Sequence, residues 1–299
     1  MKALVISGGG SKGAFAGGVA EFLIEKLGHK YDLFLGTSTG SLLISHLALG
    51  KVAQIKGIYT SVNQKSIFDR CPFKVYKKHG IQNIRINHFN VIRNFIRGSK
   101  TFGESNNLRS LIKNSITKEY FNQLQQQTAN VVVTVSNLSL NQIEYKSVKD
   151  YSYNEFCDWL WISCNYTPFM TLCRRNGCEY ADGGLGSMVP IEEAIRRGAT
   201  EVDAIILQTE VTHLNRMPSR NPFSLMTSVF NFMADRIEHQ NIRIGKFAAN
   251  NNNAIINFYY TPTVLTTNSL IFDKQQMTDW WKSGYKFAQK KNTENNQII

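Results

Sequence analysis

The sequence predicts an α/β fold organised on a central, mainly parallel β-sheet, and three observations carry that prediction. Two strand–loop–helix units follow one another within the first fifty residues. Segments that read as strands return at residues 131–135, 143–148, 202–208 and 255–260, with helical patterns among them. The chain has 299 residues, 42% of them hydrophobic and 19% charged, which suffices for one folded domain with a sizeable core.

Residues 3–7 form an apolar run of strand length. After a glycine loop, Phe15, Val19, Phe22 and Leu23 recur at helical period up to Gly28. Residues 32–35 make a second short strand, 36–40 a sharp turn, and 41–49 a second helix with Gly50 as its C-terminal stop. Beyond Lys51 the pattern loosens into a basic segment interleaved with Phe73, Tyr76, Phe89, Phe95 and Phe102. Strands are predicted again at 131–135 and 143–148, helices at 155–164 and 191–197, and a core strand at 202–208. Over residues 222–247, Phe223, Met226, Phe230, Met233 and Ile237 describe one apolar helix face, expected to pack on the sheet. A strand at 255–260 and a helix at 275–289, carrying Trp280, Trp281 and Tyr285, close the chain. The expected organisation is one domain over residues 1–299, with 51–130 as a basic insertion or cap.

No stretch of about 18 uninterrupted apolar residues offers a membrane span. The first strand runs into the glycine loop without room for a signal peptide, so a cytoplasmic protein is expected. Five cysteines without paired spacing exclude a disulfide framework or zinc site by pattern and are read as reduced thiols. The net charge is +12, and residues 70–118 hold eleven Lys or Arg against the single acid Glu104. Such a concentration attracts an anionic surface. No helix-turn-helix, zinc-finger or RNP-type motif accompanies it, so nucleic acid is not expected.

Gly36-Thr37-Ser38-Thr39-Gly40 fits the nucleophile elbow, in which flanking glycines let a strand turn sharply into a helix and present the serine hydroxyl. Gly8-Gly9-Gly10-Ser11-Lys12-Gly13 follows the first strand and opens the first helix, which suits backbone amides to hold an oxyanion, with Lys12 adding positive charge. The same hexapeptide satisfies a dinucleotide fingerprint, but the acid that fingerprint needs, at the end of the second strand, is replaced by the elbow. A serine nucleophile needs a base. His213, a few residues after a strand, is the triad candidate among six histidines. Asp182-Gly183-Gly184 offers the other solution, an acid on a glycine-flanked turn, although an exposed Asp near pKa 4 is a weak base and D-G-G is also a common turn.

The three motifs in this order resemble those of the patatin-like phospholipase family. The resemblance continues through Pro168-Phe169, Glu179 to Gly184, Pro190 and Glu193 to Ala199, with Ser283-Gly284-Tyr285 similar to the family's closing helix. It covers residues 1–50 and about 155–210, and none of 51–130. It implies a three-layer α/β/α fold and hydrolysis of phospholipid or lysophospholipid esters by a Ser-Asp dyad without cofactor, metal or calcium. Matched residue by residue, it implies Ser38 as nucleophile, Asp182 as base, and Gly8, Gly9, Gly10, Ser11 and Lys12 as the oxyanion loop. Gly36 and Gly40 are then the elbow, and Gly183 and Gly184 the aspartate loop. A Ser-His-Asp esterase using His213 and a catalytically silent protein that binds anionic surfaces remain the alternatives. Residues 70–118 are expected to meet an anionic membrane surface, with Ile92, Phe95 and Ile96 inserting while Arg93, Arg97 and Lys100 face head groups, as in a peripheral membrane protein.

Overall fold

Every residue of β1 (Lys2–Ile6) after the first is apolar and buried, the pattern of a strand covered on both faces. Alternate side chains of β1 enter two separate cores, Leu4 and Ile6 one and Ala3 and Val5 the other, which makes the architecture three-layered. The computed structural model describes residues 1–78, 81–211, 219 and 221–296. A 3-10 turn (Gly10–Lys12), α1 (Gly13–Glu21) and a π-helical turn (Phe22–Lys26) follow β1, then β2 (Leu33–Thr37) and α2 (Thr39–Leu47).

The segment that loosens in sequence is structured. It contains α3 (Val52–Ser61), α4 (Gln64–Ile67), the antiparallel hairpin β3 (Phe73–Lys78) and β4 (Ile81–Ile86), α5 (His88–Ile96), α6 (Asn106–Ser115) and α7 (Lys118–Gln126). α5, α6 and α7 each carry a clear apolar face, Leu108, Leu111 and Ile112 on α6 for example, but over only nine or ten residues interrupted by loops, so the basic charge masks them in the sequence. Asn63 and Thr117 side chains cap α4 and α7 by accepting from backbone amides.

The rest of the chain comprises β5 (Asn130–Asn137), β6 (Gln142–Ser147), α8 (Tyr153–Ser163), β7 (Cys173–Arg175), β8 (Cys178–Asp182), α9 (Ile191–Arg196), β9 (Glu201–Ile206), α10 (Pro222–Asn251), β10 (Ile255–Tyr260) and α11 (Lys274–Asn296). The main sheet has the order β10-β9-β1-β2-β5-β8-β7, with β6 also paired to β5. Pairing is parallel from β10 to β5 and antiparallel for β6, β8 and β7, so the sheet is mixed and mostly parallel. No helix among the described residues is long and apolar enough to cross a membrane. The cysteines are free, with Cys157, Cys164 and Cys173 buried.

One departure from the sequence reading bears on the site. The C-terminal half of α10 sends Ile242 and Ala249, which lie outside the expected face, into the core shared with α9 and β9, while Met233 of that face is 50% exposed. Its N-terminal half instead turns Phe223 and Phe230 onto Phe169, with ring centroids 6.0 and 5.9 Å apart. At the other end of the chain, α1 and α11 lie backbone to backbone. A Cβ on Gly18 would stand 1.9 Å from the Trp281 carbonyl oxygen, and one on Gly284 would stand 2.1 Å from that of Phe15. Gly18→Ala is therefore expected to lower unfolding free energy in urea by about 2 kcal/mol. Unchanged stability would contradict the close approach of the two helices.

Candidate active site

The site begins with a seam in the sheet. β2 runs parallel to β5 and ends with Thr37 opposite Thr134. β8 runs antiparallel to β5 and ends with Asp182 opposite Val135. Since β6 occupies the other edge of β5 over residues 132–137, β2 and β8 share one edge and approach each other end to end. Ser38 and Asp182 are thus brought together by register, although 144 residues separate them in sequence.

Ser38 leaves the strand with φ 54° and ψ −122°, a strained conformation for a residue with a side chain. The turn is tight enough that a Cβ on Gly36 would lie 2.4 Å from the Gly40 carbonyl carbon, and one on Gly40 would lie 2.3 Å from the Ile6 carbonyl oxygen. Ser163, on α8, holds the turn in place. Its Oγ accepts from the Ser38 amide at 2.9 Å and donates to the Thr134 carbonyl at 2.7 Å. No motif marks Ser163, whose role follows only from the crossing of α8 over β5.

The Ser38 hydroxyl donates its one proton to Asp182 Oδ2 at 2.7 Å. Asp182 Oδ1 accepts from the Gly184 amide at 2.7 Å, and the Asp182 amide donates to the Asn165 carbonyl at 2.9 Å. A Cβ on Gly183 would stand 2.3 Å from the Thr134 carbonyl oxygen, so the aspartate loop needs its glycine to lie flat on β5. The sequence reading took an exposed carboxylate as reference, and here the structure corrects it. Asp182 is only 3% exposed. Burial pushes its pKa up to about 7, against the opposing hydrogen bonds from Ser38 and Gly184.

The glycine loop abuts Ser38: a Cβ on Gly8 would lie 3.2 Å from that of Ser38. Its amides divide into two groups. Gly8 donates to the Met188 carbonyl at 3.2 Å and Ser11 to the Ser269 carbonyl at 2.8 Å. The Gly9 and Gly10 amides have no acceptor among the described residues and line the cavity beside Ser38. Lys12 turns its ammonium onto the Leu207 carbonyl at 2.6 Å. Burial lowers its pKa, opposed by Glu238 and Asp235, while burial pushes Glu238 up to about 8, opposed by Lys12.

A cavity of about 480 Å³ opens on Ser38 and Asp182. Its lining divides by chemistry. Leu42 and His46 of α2, Ile55 and Ile58 of α3, and Leu108 and Ile112 of α6 supply an apolar part. Ser228, Asn231, Asp235 and Glu238 of α10, with Gln208 and Asn268, supply a polar part. His46 lies eight residues along α2 from Ser38 and so is not a base for it. His79 and His213 lie outside the described residues.

A family model described as Patatin-like phospholipase matches residues 4–195, well over half of the chain. No curated protein matches it by sequence. Among solved structures, the crystal structure of VipD from Legionella pneumophila is similar at 14% identity and a TM-score of 0.47. The match covers 97% of this chain and 66% of that one, so the chain spans just under two thirds of VipD's length.

Asp182 and Glu238 are both favoured as neutral acids by the fold, with pKa values raised to about 7 and about 8. In the unfolded chain such groups ionise near pH 4. Their contribution to stability is therefore full below about pH 4 and is lost as pH rises through 7 and 8. The melting temperature is expected to fall between pH 5 and pH 8.5, and Asp182→Asn to remove part of that fall, worth on the order of a few kcal/mol. An identical pH dependence in the variant would show that Asp182 ionises freely.

Proposed function

The chain belongs to the patatin-like phospholipase family, and on that premise we propose that it cleaves carboxylic esters of phospholipids or lysophospholipids, with Ser38 as nucleophile and Asp182 as base. The observation that carries this reading is the 2.7 Å hydrogen bond from the Ser38 hydroxyl to a buried carboxylate on the same edge of β5. A base works best with a pKa near the working pH, and burial brings Asp182 to about 7.

In the first step Ser38 Oγ attacks the ester carbonyl carbon while its proton passes to Asp182 Oδ2. The carbonyl oxygen becomes anionic and accepts from the Gly9 and Gly10 amides. Lys12, which donates to the Leu207 carbonyl, adds positive potential in its protonated form, which burial disfavours and Glu238 and Asp235 favour. Collapse of the tetrahedral centre breaks the bond to the lipid alcohol, which leaves with the proton from Asp182. Water then attacks acyl-Ser38, giving a proton to Asp182, which returns it to Ser38 Oγ as the fatty acid departs. The apolar part of the cavity suits the acyl chain and the polar part the head group.

The basic segment supports docking to an anionic bilayer. On α5, Phe89, Ile92 and Ile96 share one helical face and are 72%, 58% and 81% exposed. Arg93, Arg97 and Lys100 lie exposed beside them. Phe95 contacts Phe102, which contacts Phe223 of α10, where Leu225, Val229 and Phe232 are also exposed. Such a face gains by inserting apolar side chains among lipids while cations meet head groups.

With mixed-headgroup vesicles, fatty-acid release measured by mass spectrometry is expected from the wild type and reduced at least a thousandfold, roughly, in Ser38→Ala and Asp182→Ala. The rate should rise with pH through about 7, because only ionised Asp182 accepts a proton. A rate flat from pH 5 to 8 would remove Asp182 as the base, and collapse of activity in His213→Ala would establish a triad instead. Vesicle sedimentation tests docking: raised salt should weaken binding, and Ile92→Glu with Ile96→Glu should weaken it about tenfold or more. Binding indifferent to both would overturn the docking face.

A further inference from the structure

Glu238 of α10 is a carboxyl that the proposed mechanism leaves unused. It is 5% exposed and lines the cavity that opens on Ser38, yet no group among the described residues donates a hydrogen bond to it. Lys12 and Asp235 act on it through their charges alone, and the Lys12 ammonium is turned onto the Leu207 carbonyl instead. Its oxygens are not sealed within the wall but keep surface on the cavity, so a ligand can reach them. A carboxyl buried to this extent without a donor is unfavourable, and a ligand that brings one gains by it.

The surroundings define that ligand. Ser228, Asn231, Asp235 and Glu238 recur every three or four residues along α10 and make one polar stripe on the cavity wall. Asp235, the second acid of the stripe, accepts from the Gln208 amide group at 2.7 Å. The opposite charge comes from Lys12, on the glycine loop beside Ser38 and lining the same cavity. A phosphoethanolamine group carries the complementary pair, a phosphate for Lys12 and an ammonium for the two acids. A primary ammonium has three N–H donors for carboxyl oxygens, whereas the trimethylammonium of choline has none, and a glycerol head group has hydroxyls but no positive charge. Burial favours Glu238 as a neutral acid, and an ammonium placed beside it favours the charged form.

We infer that Glu238, together with Asp235, selects lipids whose head group ends in a primary ammonium, which makes phosphatidylethanolamine the preferred substrate. The inference rests on the reading of Ser38 as the acylated residue, because that puts the head group in the polar part of the cavity. Discrimination of this kind is strong when a buried polar group would otherwise go unpaired.

Two measurements test it. Ser38→Ala protein is titrated calorimetrically with monomeric, short-chain phosphatidylethanolamine, phosphatidylcholine and phosphatidylglycerol, and wild-type protein is assayed on the same lipids. The ethanolamine lipid should bind, and should be cleaved in kcat/KM, about tenfold better than either of the others. Glu238→Gln, which keeps the shape of the side chain without its charge, should bring both ratios to about one, and Asp235→Asn should lower them part of the way. Since each readout is a ratio between lipids, a general folding defect does not mimic the effect. Equal binding of the lipids, or a preference that survives in Glu238→Gln, would overturn the inference and leave Glu238 as a group that only water satisfies. Equal cleavage of all of them would overturn it too, with the proposed function left standing. Selective binding of the ethanolamine lipid without cleavage of any would uphold recognition of the ammonium while sinking the proposed function.

Discussion

Most of the site depends on the way one strand edge is shared. β5 offers its edge to β2 as far as Thr134 and to β8 from Val135, so two strands from distant parts of the chain end facing each other. Parallel and antiparallel pairing on the same edge is what turns the two strand ends towards one point. The elbow strain at Ser38, the Ser163 brace and the flat Gly183 turn all serve that junction. A slip of one residue in either register would send Ser38 or Asp182 to the opposite face of the sheet.

Bringing the two ends together buries a carboxylic acid, and that has a consequence for stability as well as chemistry. Asp182 has hydrogen bonds on both oxygens, yet desolvation still dominates its pKa. Lys12 and Glu238 repeat the situation a short way along the cavity, each shifted by burial toward its neutral form and held back by the other. The molecule therefore keeps several ionisable groups where it would be more stable without them, a pattern found where a polar surface must meet a ligand.

The sequence made the fold class legible because β1 after Lys2 and β2 from Leu33 to Leu35 are apolar and each runs into a glycine turn and a helical stripe. The elbow and the aspartate turn were legible for a similar reason: tight backbone approach admits only glycine at Gly36, Gly40 and Gly183, and it leaves a motif. What could not be read depends on contacts between remote segments. Nothing near Lys12 in sequence tells that its ammonium reaches Leu207, and nothing near Asp182 reveals its burial. Ser11 looked as available as its neighbours until the Ser269 carbonyl was seen to take its amide. The hairpin β3–β4 escaped because neither Phe73–Lys78 nor Ile81–Ile86 alternates apolar with polar residues, so no period of two marks its strands.

Adjacency of β2 and β5 has one more consequence. The chain leaves the sheet after Thr37 and re-enters it at Asn130, beside the strand it left. The seam therefore spans a long excursion whose helices α3 and α6 wall the apolar part of the cavity without adding a strand to the main sheet. Such an arrangement is modular. A chimaera that exchanged residues between α2 and β5 for those of a relative would re-tailor the chamber by replacing a contiguous cassette while leaving the strand junction untouched.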